Sequence, residues 1–318
     1  VNGYDKIKSL DIVSFEKDTK NINVKAINTR TIVADSSLGK NVNTEDSYQL
    51  NTLKGKSNSE MLSYFDELLA VKLDYYLIIP MDYFKEVLKL TYGVSFLNDY
   101  TADKFAKGTI KITNENIVSY WDSDFANDGQ RLVAQNKFLQ AFFSKIASVE
   151  TFFLYSKISE VTKKYIDTNM PISFFRDFIN NVTFNSSKTN YGFTPTQIFY
   201  NLKEGKIWDR TRFDDYLKNE FSDNKIQREQ TRVEVQNASG TVGLATKVSR
   251  YISNSGSEVS RVGNFGIEVP RTTVYVKDRN KFAETVNFIE NLLKNTEFRF
   301  ESPEKLSTAD ILIIVKEF

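Results

Sequence analysis

From Thr231 to Val315 the chain alternates strand-like and helix-like segments, and that order leaves few folds open. Thr231 to Val235 reads as a strand, and the glycine-bearing run Asn237 to Ala245 leads from it into a helix reaching about Ser253. Gly256 then closes the helix, as glycine commonly does in the left-handed cap position. Thr272 to Val276 is a second strand, Lys281 to Leu293 an amphipathic helix, and Ala309 to Val315 a terminal strand apolar throughout. Strand–helix–strand–helix–strand predicts a small α/β sandwich of about 90 residues.

The chain of 318 residues is long enough for a second domain before it, at about 150 residues each. There the alternation is coarser. Leu10 to Phe15 and Asn23 to Ile27 are paired strands around the polar turn Glu16 to Asn21, and Lys40 to Tyr48 is a loop. Ser59 to Leu69 carries a helical apolar stripe, Tyr75 to Ile79 a buried strand, and Asp82 caps a helix over Tyr83 to Leu90. Val94 to Phe96 begins a further strand after Gly93, a loop holding Gly108 follows, and Thr113 to Tyr120 runs into an acidic loop, Asp122 to Asp128. Arg131 to Phe153 reads as one helix with Leu132, Phe138, Leu139, Phe142, Phe143 and Ile146 along one side. That side is either core or the wall of a long apolar pocket, with Phe138, Leu139 and Phe142 as the pocket residues. Ile158 to Tyr165 and Ile172 to Ile179 are predicted helices, Asn180 to Thr196 is strand-like, and Ser222 to Gln230 is a charged linker. These readings place a first domain over residues 1–225 and a second over 231–318.

Absences narrow the chemistry. There is no His and no Cys, which removes imidazole bases, thiol nucleophiles, disulfides and every zinc site of those ligands. A metal here would be a hard cation on oxygen ligands. The 42 Lys and Arg nearly balance 41 Asp and Glu, with no basic block, so no nucleic-acid partner is expected. No stretch of 18 apolar residues occurs, so a membrane link is expected only through an anchor upstream of Val1.

Two residue groups could carry chemistry. The run around Gly240 and Gly243 superficially resembles a phosphate-cradling loop, but it lacks the G-x-G-x-x-G spacing, and a tight turn with close packing explains it as well. In the first domain, Asp11 starts a strand, Arg30 lies beyond the next, and Asp128 and Arg131 sit at the start of the Phe-rich helix. Carboxylates and guanidinium groups converging there would suit magnesium-assisted phosphate chemistry, with surface ion pairs as the plain alternative.

Several of these segments, in their order, resemble the LytR-CpsA-Psr family. Asp11 to Phe15, a polar turn and Ala26 to Val33 resemble its paired strands and following loop. Leu73 to Ile79 with Phe84, Gly93 and Val94 is similar to its central signature, and Asp128, Arg131, Gln135 and Phe138 to its helix start. Val233 to Gly240, Gly243 to Ala245 and Ala309 to Ile314 are similar to the accessory domain at the C-terminus of some LytR proteins. The resemblance implies a mixed sheet with helices on both sides, followed by the small α/β sandwich. It implies an extracytoplasmic enzyme that moves a glycopolymer from a polyprenyl pyrophosphate to peptidoglycan with Mg²⁺, the lipid chain lying in an apolar tunnel. Carried over, Arg30 and Arg131 are the catalytic residues, and Arg30, Arg131 and Gln135 hold the pyrophosphate. Asp11 and Asp128 hold the metal, with Asp122 and Asp124 as further candidates.

The pattern departs from the family in places. Where the family has an Arg-Asp pair the chain reads Thr29-Arg30, and where it has Arg-x-Arg the chain reads Asp122-Ser123-Asp124. Aspartates in place of arginines repel a pyrophosphate. The expectation is therefore a cell-envelope protein that binds peptidoglycan or a lipid-linked precursor as a scaffold, needing no cofactor and engaging other envelope proteins. The alternative is the active Mg²⁺-dependent phosphotransferase.

Overall fold

The computed structural model describes residues 9–16, 19, 21–27, 32–35, 40–43, 58–171, 173–175, 189–193, 199–202, 205–208, 210–303 and 307–318. They form a mixed α/β architecture in which helices flank small sheets. Two compact units share the chain: Val1–Asn58 with Tyr75–Trp208, and Ser59–Asp74 with Asp209–Phe318.

In the first unit, β1 (Leu10–Glu16) pairs antiparallel with β2 (Asn21–Ile27), setting Asp11 opposite Ala26. β3 (Ile32–Asp35) and β4 (Lys40–Asn43) form a second antiparallel pair, so the expected loop from Lys40 begins as a strand. The apolar run from Tyr75 gives only the two-residue β5 (Leu77–Ile78), half-buried rather than core. The helix α2 (Met81–Leu90) starts two residues earlier than Asp82 capping would allow. Pro80 is its N-cap, and Asp82 lies in the first turn, where its charge suits the helix dipole.

β6 (Val94–Asn98) and β7 (Gly108–Ile112) make a hairpin, so Gly108 opens a strand. The fully buried Asn98 amide ties the hairpin loop by donating to the carbonyls of Tyr100 at 2.6 Å and Ala106 at 3.1 Å. A short helix, α3 (Ile117–Trp121), precedes the long α4 (Asp128–Ile146). The predicted continuation of α4 to Phe153 breaks at Ala147. Ser148 donates to the Lys145 carbonyl at 2.8 Å, and the Thr151 hydroxyl lies 2.6–2.9 Å from the carbonyls of Lys145, Ile146 and Ser148. Those hydroxyls satisfy carbonyls that a continuing helix would have used. A 3₁₀ turn (Val149–Leu154) and α5 (Tyr155–Tyr165) follow. Next come β8 (Asp167–Thr168), paired with β5, and β9 (Thr189–Phe193), parallel to β2. β10 (Phe199–Leu202) and β11 (Gly205–Trp208) join β3 and β4 in a four-stranded sheet. Most of the helix predicted from Ile172 to Ile179 lies outside the described residues, as does the 180–196 segment apart from β9.

Aromatic rings make the core of this unit. Phe84, Tyr120, Trp121, Phe138 and Phe142 are buried, with Phe84 4.9 Å from Phe142 and 5.7 Å from Phe138 between ring centroids. Leu139 packs against the same cluster from a half-buried position.

In the second unit, α1 (Asn58–Leu69) keeps company with α6 (Arg210–Phe221), α7 (Asn224–Glu229) and everything after them. The expected charged linker is largely the helix α7, which Asp223 starts by accepting from the Lys225 N–H at 2.6 Å. β12 (Arg232–Asn237) lies between β13 (Glu258–Asn264) and β16 (Ile311–Val315), and β14 (Thr273–Val276) with β15 (Glu297–Arg299) completes the order β13-β12-β16-β14-β15. α8 (Leu244–Ser255) and α9 (Ala283–Leu292) bury one face of this sheet, against Val233, Val235, Val274, Val276, Ile311 and Ile313. Gly256 caps α8 with φ +118°, as its place in the sequence predicts.

Candidate functional site

The site starts with the first turns of α4. Asn127 is extended, and its side-chain oxygen accepts from the Gln130 N–H at 3.0 Å. An Asn three residues ahead of a Gln is the capping-box spacing, so this start was legible from sequence although Asn127 drew no notice there. Capping fixes the phase of the helix. From that phase Arg131, Gln135, Phe138 and Phe142 fall at intervals of four, three and four residues, one stripe of a helix. All four are buried. The stripe is polar in its first turns and aromatic further along.

Arg131 is only 8% exposed, and its Nη2 donates to Asp128 Oδ1 at 3.3 Å one turn back. Asp128 therefore serves as the arginine's neighbour. Gln135 is 3% exposed, and both atoms of its amide are covered without a hydrogen-bond partner among the described residues. A buried primary amide left unmet costs about 1–3 kcal/mol, so this position is poised for a polar group that completes it.

Asp11 presents a second unmet group. Ser9 Oγ donates to its Oδ2 at 2.9 Å, while Oδ1 is enclosed without a described partner. Burial pushes this carboxyl above the usual carboxylate range, and the Ser9 hydroxyl opposes the shift. Ser9 is a partner that sequence reasoning missed. In the sheet order β1-β2-β9, Asp11 stands two strands, about 10 Å, from β9, the strand against which α4 packs.

Asp122 and Asp124 are exposed in the loop ahead of α4, and the Asp124 N–H donates to Asp103 Oδ2 at 3.1 Å. Arg30 lies outside the described residues. Among the described residues no set of three or more carboxylates gathers as a metal cage. A magnesium ion does not require one: it commonly takes one or two carboxylates and fills its octahedron with water and phosphate oxygens. The enclosed Asp11 Oδ1 fits that role.

A ring-packed α/β unit with a buried Arg–Gln helix start and a five-stranded α/β unit thus share one chain. The chain belongs to the LytR-CpsA-Psr family. Residues 2–198 match the LytR_cpsA_psr family, and residues 230–317 match the domain described as LytR cell envelope-related transcriptional attenuator. Among curated relatives, the polyisoprenyl-teichoic acid–peptidoglycan teichoic acid transferase TagU of Bacillus mycoides is 28% identical over 112 residues, 33% of this chain and 37% of that protein. TagU of Bacillus cereus is 29% identical over a stretch of the same extent. The match thus spans little more than a third of these relatives. Crystal structures of Bacillus subtilis TagU and TagV share the fold. TagU has a TM-score of 0.51 at 16% identity, covering 70% of this chain and 95% of TagU. TagV has 0.52 at 20%, covering 66% of this chain and 86% of TagV.

Proposed function

We propose that this chain is a Mg²⁺-dependent phosphotransferase of the cell envelope that moves a glycopolymer from a polyprenyl pyrophosphate carrier onto peptidoglycan. The observation that carries the reading is the Gln135 amide, buried without a partner among the described residues, one helical turn from Arg131 at a capped helix start. A pyrophosphate offers acceptors to both side chains, and the helix N-terminus favours its charge. The transferase names of the curated relatives point the same way.

In this mechanism Arg131 and Gln135 bind and orient the pyrophosphate, with Arg30 as a second guanidinium reaching it. Asp11 Oδ1 would hold the magnesium ion, with Asp128 close to Arg131, and Asp122 and Asp124 standing as outer carboxylates. The bound metal supplies Lewis-acid polarisation of the phosphoryl oxygens. A peptidoglycan hydroxyl displaces the polyprenyl phosphate, so one phosphodiester bond forms as the pyrophosphate P–O bond breaks, and the hydroxyl proton leaves to solvent. Phe138, Leu139 and Phe142 continue the stripe away from the charged end and would line the path of the polyprenyl chain. The domains that go with this reading are 1–225, carrying the chemistry, and 231–318, the accessory part. The place of action is extracytoplasmic, at the membrane surface where lipid-linked precursors reside.

A second reading is favoured by the acidic Asp122-Ser123-Asp124 segment. The same fold would hold peptidoglycan or a lipid-linked precursor as a scaffold, its catalytic residues degenerate. Incubating the purified chain with a polyprenyl-pyrophosphate-linked glycopolymer, peptidoglycan and Mg²⁺ separates the two. Transfer that falls about 100-fold or more in Arg131→Ala supports the transferase. Lipid-linked precursor retained in native mass spectrometry with no transfer under any divalent cation establishes the scaffold.

A further inference from the structure

A hollow of about 830 Å³ opens in the second unit, where α9 ends and β14 and β15 begin. None of its residues enters the proposed transfer chemistry. Leu293, 3% exposed, and Phe298, packed against the same core, give it an apolar lining. Arg271, Glu290, Lys294 and Glu317 supply its charge.

Three of those four charges lack a mate. Glu290 is engaged: its Oε1 takes Arg279 Nη2 at 3.5 Å, and the Arg279 guanidinium also lies over the Phe300 ring, 4.6 Å from its centroid. Lys294 comes four residues after Glu290, but the chain leaves the helix at Leu293, so the usual i,i+4 pair does not form. Thr272 draws Arg271 and Glu317 to the same rim. Its hydroxyl donates to the Glu317 carbonyl at 3.2 Å and accepts from the Lys316 N–H at 3.0 Å. The two opposite charges still do not meet. Among the described residues Arg271, Lys294 and Glu317 make no ion pair, and all three line the hollow.

We propose that this hollow binds a short acidic peptide carrying one free amino group and two carboxylates. Two unmatched cations against one unmatched acid call for a ligand of that balance. Arg271 and Lys294 each take a carboxylate, and Glu317 takes the amino group. A polyphosphate is disfavoured, because Glu290 and Glu317 repel it. A peptide backbone suits the place because β15 is the outermost strand of its sheet. No described strand pairs with its outer edge, which is free to pair with an extended chain. Leu293 and Phe298 offer contact to a small aliphatic side chain, and the volume lies in the range of small-ligand sites. The inference goes beyond the transfer reaction and needs neither transferase nor scaffold activity.

The test is calorimetric titration of the full chain with the tripeptide Ala-Glu-Ala, free at both ends. Saturable binding at one site is expected. Amidating its C-terminus or acetylating its N-terminus should each weaken binding about three- to fivefold, the worth of one partly exposed charge pair. Arg271→Gln should weaken the free peptide by a similar factor with an unchanged melting temperature, since its exposed side chain makes no pair. Glu317→Gln should lose affinity for the free peptide and none for the acetylated one, a pattern that a merely structural change would not give. No saturable binding overturns the proposal, as does equal affinity for the free and blocked peptides or an Arg271→Gln that binds like wild type. Inorganic pyrophosphate that displaces the peptide at equal concentration would make the hollow a general anion site, and overturns it too.

Discussion

Glu229 caps a helix to which it does not belong: its Oε2 accepts from the Thr285 N–H at 2.9 Å and the Thr285 hydroxyl at 2.6 Å. Its Oε1 accepts from the Glu284 N–H at 2.7 Å. The last residue of α7 thereby satisfies the orphan donors of α9's first turn, which Phe282 at the N-cap cannot do through its side chain. Glu229→Ala should destabilise the chain by about 1–2 kcal/mol, the range of a lost charged cap. Glu229→Gln should cost less. Denaturant unfolding measures this, and an unchanged stability in Glu229→Ala would deny the carboxylate its part.

Arg250 on α8 forks onto Asp214 of α6 through Nε at 2.7 Å and Nη2 at 2.8 Å, and the same Nη2 reaches the Leu68 carbonyl at 3.2 Å. Its neighbour Asn254 donates to the carbonyls of Leu69 and Ala70 at 3.2 Å each. Two side chains of α8 therefore close the C-terminal end of α1. Arg250→Ala should cost about 2–3 kcal/mol, under the range for fully buried pairs because both side chains keep some solvent contact. Arg250→Lys should recover less than half, lacking the planar fork. A double-mutant cycle with Asp214→Ala that returns simple additivity would count against the pair.

These contacts mark where sequence reading stops. The strands Val233–Val235 and Ile311–Val315 and the helix α4 were legible because their apolar periods are uninterrupted. That α1 belongs to the same unit as α8 was not, since the stripe from Met61 to Leu69 shows that a face is buried and not which partner buries it. β13 was missed for a physical reason: Glu258 to Asn264 is an edge strand, mostly exposed, with Arg261 and Gly263 where a core strand would be apolar. The charged linker became α7 because one Asx cap at Asp223 outweighs a polar composition. At the site, the residue types at Asp11, Arg131 and Gln135 drew notice, whereas their burial and the unmet Gln135 amide emerge only from packing.

Asp11→Asn is expected to stabilise the metal-free chain at neutral pH. Burial raises the folded-state carboxyl above its unfolded value of about 3.9, so the folded state holds the proton more tightly across the window between the two. Stability from this group is full below the unfolded value and falls as pH climbs through the folded one. An amide carries no charge to desolvate, so the melting temperature at pH 7 should rise by about 2–4 °C, and that gain should vanish near pH 3. Mg²⁺-dependent turnover should drop in the same variant. A lower melting temperature at pH 7 would sink the argument.

Gln135→Met removes an amide that has no partner among the described residues, while nearly conserving volume. The expected gain is about 1 kcal/mol, with a five- to tenfold weaker affinity for inorganic pyrophosphate from the lost hydrogen bond. Thermal melts and calorimetric titration read the two effects separately. Destabilisation with unchanged affinity would show that Gln135 serves packing alone.

Gly93 ends α2 in a conformation that only glycine adopts without strain. Its φ is +88°, its N–H donates to the Leu88 carbonyl at 2.8 Å, and a Cβ there would stand 2.6 Å from the Ile112 carbonyl oxygen. That oxygen belongs to β7, which pairs with the strand that Gly93 introduces, so neither side can retreat without breaking the hairpin register of Val94 with Ile112. The hairpin in turn supports the ring core through Val94 and Ile112, both buried in it. Gly93→Ala combines the left-handed penalty of about 1 kcal/mol with a backbone clash, so a loss of about 3 kcal/mol or more is expected. Circular dichroism should show a lower melting temperature. Hydrogen exchange should show the loss of protection concentrated in β6, β7 and the end of α2. At Gly240, where φ is +74° but a Cβ would meet nothing within 4 Å, the same substitution should cost only the backbone penalty. Equal losses at the two positions would mean that the contact with Ile112 carries no weight.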